Sequence, residues 1–198
     1  MNPEAVGKLL HKELASEGKI YPDYGRYCIN AVPALLADLF DGKRTTPLTK
    51  AIVPGGDDPV ATVITFLIDG LGYRKATKVL RNMPTEESSI LNQNIYPVTS
   101  VFPSETTAAL TSLLTGVPPN RHGLPGWLLH FKKYGKTVQC PEFVSVNPRN
   151  KTINFDVDDV LLSECTPVFE KLSERGVSSY SYLRDEIATG AYSYRLYS

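Results

Sequence analysis

The sequence has no excess of charge of either sign, with 21 Lys and Arg against 21 Asp and Glu. A balanced chain offers no broad basic field to a nucleic-acid backbone or an anionic lipid surface, so neither partner is expected. Long hydrophobic runs are also lacking. The longest uncharged apolar stretch, Val60 to Ile68, has nine residues, whereas a bilayer-spanning helix needs about 20; no membrane span is expected and the chain reads as soluble. Cys28, Cys140 and Cys165 are odd in number, far apart and without a Cys-x-x-Cys pair, which argues against a disulfide framework or a cysteine zinc site and leaves small buried thiols. Met1-Asn2-Pro3-Glu4-Ala5-Val6 carries an acid before any apolar run, unlike a secretory signal, so a cytoplasmic setting is the expectation. A Gly-Lys-Ser/Thr phosphate loop, a Gly-x-Ser-x-Gly elbow and a His-Glu-x-x-His helix are all missing, and Gly70-Leu71-Gly72-Tyr73-Arg74-Lys75 lacks the last glycine of the dinucleotide fingerprint.

What is present suits one globular domain: 198 residues, 42% of them hydrophobic. Asn2 and Pro3 open a helical pattern with Val6, Leu9, Leu10 and Leu14 on one face, closing near Gly18. After a turn at Tyr21-Pro22-Asp23-Tyr24-Gly25, a second pattern places Ile29, Val32, Leu35, Leu36, Leu39 and Phe40 together and stops at Gly42. Residues 45–59 read as a loop. Val60 to Ile68, β-branched and aromatic throughout, has the character of a central parallel strand covered on both faces, and it ends at Asp69-Gly70.

A helix is expected from Arg74 to Arg81, an extended piece through Ile95 to Phe102, and a helix from about Thr106 to Gly116 with Leu110, Leu113, Leu114 and Val117 on its apolar face. Thr166 and Pro167 open a short helix ended by Gly176, and Val177 to Leu183 reads as another strand. The alternation predicts a doubly wound, mostly parallel α/β domain with helices on both faces, residues 1–59 forming a helical lead-in and loop and 60–198 the sheet-bearing portion.

Open α/β sheets place ligands at the carboxyl ends of their strands, where this reading puts Asp69 and Thr106. An ionised Asp69 directly after nine uncharged residues would be partly desolvated unless a cation or hydrogen-bond donors held it. Thr106 at a helix N-terminus would sit at the positive end of the dipole beside free N–H groups, which favour an alkoxide-like oxygen and bind phosphate oxygens. A turn cap for Asp69 and a simple N-cap for Thr106 are the plainer alternatives.

Three ordered segments resemble the type I phosphodiesterase and nucleotide pyrophosphatase branch of the alkaline phosphatase superfamily: Ile64 to Gly72; Val101-Phe102-Pro103-Ser104-Glu105-Thr106-Thr107; and Leu114-Thr115-Gly116-Val117-Pro118-Pro119-Asn120-Arg121-His122-Gly123. The resemblance covers about residues 60 to 127. It implies an alkaline phosphatase-like fold, a site of two divalent metal ions, usually zinc, with Asp69 as a ligand, and Thr106 as the nucleophile that also contacts a metal. It implies that the Thr107 N–H helps hold the phosphate, and that the substrate is a small phosphodiester or nucleotide. By the same comparison His122 is structural.

Two positions depart from the family pattern. Ala109 stands where these enzymes carry a phosphate-binding asparagine, and His11, His122 and His130 are the only histidines, none of them in an Asp-His pair after Thr106. Asp156, Asp158 and Asp159 read as a solvated acidic loop. The expectation is the N-terminal portion of a longer enzyme, apparently truncated and inactive by itself. The alternatives are a non-catalytic α/β module that binds a phosphorylated ligand or partner chain, or a second polypeptide that supplies the missing ligands.

Overall fold

The computed structural model of the chain describes residues 15–16, 19–53, 58–83, 95–149, 152–162 and 165–197. These fall into two compact units, one of Met1–Cys28 and Ala34–Thr99, the other of Ile29–Pro33 and Ser100–Ser198.

In the first unit β1 (Ala15–Ser16) and β2 (Lys19–Ile20) form a short antiparallel pair. A helix running to Gly18 is therefore excluded at its end; the rest of that expected helix lies outside the described residues. The turn after it forms, with the N–H groups of Arg26 and Tyr27 donating to the Asp23 carbonyl. Helix α1 (Val32–Asp41) follows a 3-10 turn at Ile29–Ala31 and ends at Gly42, φ +62°, as its periodicity and stop residue predict.

The stretch read as loop contains α2 (Pro47–Ile52), whose Thr46 cap accepts the Thr49 N–H and whose Pro47 fits the first turn. The buried Asp38 carboxylate accepts from Thr45 N–H and Oγ1, Thr46 N–H and Thr49 Oγ1 at 2.6 to 3.0 Å. Burial pushes its pKa up, but these four donors outweigh that and hold it below the ordinary carboxylate value. Helix α3 (Tyr73–Arg81) also lies where expected.

The parallel sheet does not. Val60 to Ile68 belongs to no strand among the described residues, and Ile64, Phe66, Leu67 and Ile68 stand between 56% and 84% exposed. Ile95 to Phe102 contributes one isolated parallel bridge, Thr99 with Cys28. Val177 to Leu183 is irregular, with Tyr180 and Tyr182 exposed. A strand satisfies its N–H and C=O groups only through a neighbour, so β-branched composition alone leaves an apolar run unpaired.

The second unit holds most of the described apolar core: Val101, Ala108, Leu114, Leu124, Val138, Phe155, Val168, Leu172, Tyr192 and Leu196 are all buried. Helix α4 (Thr106–Thr115) leads to the short α5 (Pro119–His122). Strands β3 (Leu128–Phe131), β4 (Lys136–Gln139) and β5 (Val144–Ser145) then form an antiparallel sheet with Leu129 opposite Val138 and Val138 opposite Ser145. Phe131, Tyr134 and Phe143 surround Phe155, with Tyr134 stacked on it at 3.9 Å.

Helix α6 (Val168–Ser173) has Pro167 as its N-cap in place of the expected Thr166, one residue later than the start signal predicts, and α7 (Asp185–Ala188) and α8 (Ala191–Tyr197) close the described chain. Gly190 permits the approach to the loop after β4, since a Cβ there would come within 2.8 Å of the Pro141 carbonyl. Mixed helices with a small antiparallel sheet are consistent with a partial α/β domain. Cys28, Cys140 and Cys165 are buried, as expected, and none of them forms a disulfide. No helix among the described residues is long and apolar enough to cross a membrane.

Candidate active site

Thr106 is the first residue of α4, half-buried, with Glu105 as the N-cap. The position delivers what the residue pattern predicts, a hydroxyl at the positive end of a ten-residue helix. The buried face of α4 differs from the expectation. Thr107, Ala108, Thr111, Ser112 and Thr115 are fully or almost fully buried, and of the leucine stripe only Leu114 joins them. The polar side chains can be buried because most find partners: Thr111 Oγ1 donates to the Thr107 carbonyl at 2.7 Å and Thr115 Oγ1 to the Thr111 carbonyl at 2.6 Å. Thr107 Oγ1 is the exception, buried with no hydrogen-bond partner.

The helix is held at both ends. Gly116, φ +82°, caps the C-terminus through its N–H to the Ser112 carbonyl, while Asn30 Nδ2 donates to the Gly116 carbonyl at 3.1 Å and Lys171 Nζ to the Thr115 carbonyl at 2.9 Å. A cation on the last carbonyls is what the dipole favours. Behind the first turn, Tyr192 of α8 lies 1% exposed, its hydroxyl 2.8 Å from Thr111 Oγ1 and donating to the Thr107 carbonyl at 3.2 Å. Burial pushes its phenol pKa up, so it stays a neutral donor. Burial likewise pushes the Cys140 thiol up to about 12, and the negative charge of Glu105 adds to the shift.

At the N-terminus the Glu105 carboxylate accepts the Thr107 N–H at 2.9 Å. The N–H expected to meet a phosphate oxygen therefore already meets a carboxylate. Ala109, three residues after Thr106, offers no polar side chain.

His122 is buried against the same helix. Its Nδ1 accepts the Leu124 N–H at 3.0 Å, which leaves Nε2 protonated and 3.2 Å from Ser112 Oγ. Desolvation pushes its pKa down from 6.5 to about 4, so the ring is neutral and fully engaged in the turn, as a structural histidine should be.

Asp69 belongs to the first unit and Thr106 to the second. Asp69 is exposed, contrary to the desolvation expected of it, because the run before it is itself exposed. Its Oδ1 accepts the Gly70 N–H at 2.8 Å, and Gly70 has φ +70°, the geometry of a turn. Among the described residues no group of three or more His, Cys, Asp or Glu side chains comes together. These donors therefore do not build a two-metal centre. Asp156 and Asp159 accept each other's N–H groups, and Asp158 Oδ1 accepts from Arg195 Nε at 2.6 Å; the acidic loop is engaged in its own structure.

Residues 63–195 match the family model described as Type I phosphodiesterase / nucleotide pyrophosphatase. The chain belongs to this family. The match takes in Asp69, Thr106 and Thr107 and runs on through Tyr192. No curated protein and no solved structure matches the chain. Family membership supports a hydrolase-like function on phosphoric esters.

Sequence reasoning missed Glu105 and Tyr192. Glu105 was visible as the residue before the helix start, the position that caps. Tyr192 lies 85 residues from the carbonyl it serves, and nothing local to it signals that contact.

Proposed function

We propose that this chain carries the nucleophile of a phosphodiester- or pyrophosphate-cleaving hydrolase, with Thr106 as that nucleophile, the Thr107 N–H as a phosphate contact and Asp69 as a metal ligand. The observation that carries the reading is the position of Thr106 at the head of α4, inside the matched region. The Thr106 hydroxyl attacks phosphorus in line. Its Oγ–P bond forms as the P–O bond to the leaving alcohol or nucleotide breaks, and the hydroxyl proton ends on the leaving oxygen. Water then cleaves the Oγ–P bond, releasing the remaining phosphate monoester of a diester substrate and restoring the hydroxyl. The dipole of α4 and its N–H groups favour the negative charge that collects there. Phosphodiesters are the preferred substrates, followed by pyrophosphates, phosphonates and phosphomonoesters. Two divalent ions, usually zinc in this family, would complete such a site, but the described donors do not assemble them, and this chain alone is expected to show no turnover.

Release of p-nitrophenol from bis(p-nitrophenyl) phosphate with added zinc tests the reading. Chelator-sensitive release that Thr106→Ala abolishes supports it, and release indifferent to Thr106→Ala overturns the role of Thr106. The lack of converging metal donors among the described residues favours a second reading, a non-catalytic module that binds phosphorylated ligands. Nucleotide affinity unaffected by chelator and by Thr106→Ala, with no turnover, is its signature.

A further inference from the structure

The Glu105 side chain behaves as a bound anion would. Its Oε2 sits 2.9 Å from the Thr107 nitrogen, at the end of α4 where the helix dipole attracts negative charge. Among the described residues Glu105 forms no salt bridge, and its negative charge acts on the neutral Cys140 thiol and Tyr192 phenol. Glutamate is also an unusual choice for a cap, since the shorter Ser, Thr, Asp and Asn reach the same N–H with less side chain to order. The hydroxyl of Thr107 itself is buried and without a partner, so this residue has hydrogen-bonding capacity that the resting structure leaves unused.

We infer that Glu105 is an internal plug, its carboxylate occupying the Thr107 N–H in the resting protein so that a phosphate group enters only by displacing it. The inference rests on the proposed phosphate site and adds its regulation. An entering dianion and the Glu105 carboxylate cannot share one N–H group, and their like charges oppose each other at this range. Rotation of the side chain toward solvent frees the donor without moving the backbone of α4, because Glu105 lies outside the helix proper.

Titration of the whole chain with inorganic phosphate, followed at the Thr107 amide by nitrogen-15 NMR, tests the plug. Glu105→Ala removes it and should tighten phosphate binding about fivefold, the worth of one capping contact. Glu105→Gln, which keeps the acceptor oxygen and loses the charge, should give a smaller gain and guards against misfolding of the alanine variant. Glu105→Asp keeps the charge and should bind phosphate no more tightly than the parent. A cap with a purely structural role would lower stability in the alanine variant with no gain in affinity.

Equal phosphate affinity in parent, Gln and Ala variants overturns the inference. So does a Thr107 amide that fails to respond to phosphate in all of them. Either result is separable from failure of the hydrolase reading, which is decided by the Thr106 dependence of zinc-supported p-nitrophenol release.

Discussion

Thr107, Thr111, Ser112 and Thr115 are buried to within 1% of completely, whereas Ile64, Phe66, Leu67 and Ile68 are mostly in water. By composition alone the two stretches should have exchanged places. The threonine face of α4 is buried because its hydroxyls, with one exception, donate to carbonyls one turn back or meet Tyr192 and His122, so burial costs little hydrogen bonding. The apolar run lacks a sheet among the described residues, and a strand without a neighbour leaves its backbone polar groups to water. Satisfied polar groups, more than side-chain apolarity, separate the two.

The largest expected effect lies behind α4. Tyr192→Ala removes a buried ring together with two hydrogen bonds and should lower the unfolding free energy by about 4 kcal/mol. Tyr182→Ala removes the same ring from a site 95% exposed and should change stability by less than about 0.5 kcal/mol. Urea unfolding of both variants measures the difference. Equal losses would break the comparison.

Acid provides the next test. The His122 pKa is depressed in the folded protein from 6.5 to about 4, so the unfolded chain binds the proton more readily. The stability this residue contributes is fully present above pH 6.5 and is lost as pH falls toward 4. The difference corresponds to about 3 kcal/mol. Urea midpoints between pH 7 and pH 4.5 should decline in the parent. They should be nearly flat in His122→Gln, which is less stable at pH 7 but has no ring to charge. A parallel decline in both would assign the acid sensitivity elsewhere.

Within the first unit the polar knot at Asp38 should outweigh any part of the apolar run. Asp38→Asn turns one acceptor oxygen into an NH2 donor facing the donors of Thr45, Thr46 and Thr49. The expected cost is about 2 kcal/mol by urea unfolding. A neutral result would show that water replaces the carboxylate without penalty.

How much of this was legible in the sequence depended on whether the deciding interaction was local. Helices α1, α3, α4 and α6 carry their own signals: a periodic face, a Gly42 or Gly116 stop, a Pro167 start. The position of Thr106 follows from the same signals. Helix α2 was legible too, since Thr46-Pro47 is the same start signal as Thr166-Pro167, but its Pro- and Gly-rich surroundings pointed to a loop. Strand neighbours are set by residues distant in sequence, so the expected parallel sheet does not form among the described residues while the antiparallel β3–β4 pair, closed by the short turn at Lys132–Tyr134 and Gly135, went unread. For the site, the family segments pointed to Thr106, Thr107 and Asp69, but neither the contact from Tyr192 nor the occupation of the Thr107 N–H by Glu105 could be read from motif spacing.

The smallest expected effect tests the exposed run directly. Phe66→Ser and Ile64→Lys alter side chains that are 84% and 76% exposed, so each should shift the unfolding free energy by less than about 0.5 kcal/mol. An exposed apolar stretch is also a template for association, and a lysine within it opposes edge pairing. Ile64→Lys should therefore reduce any concentration-dependent increase in mass seen by light scattering while leaving the urea midpoint in place. A loss of 2 kcal/mol or more from either substitution would mean that the run is buried in the folded protein, as its composition predicts for a central strand. The contrast with the threonine face of α4 would then collapse, because both stretches would owe their burial to partners distant in sequence.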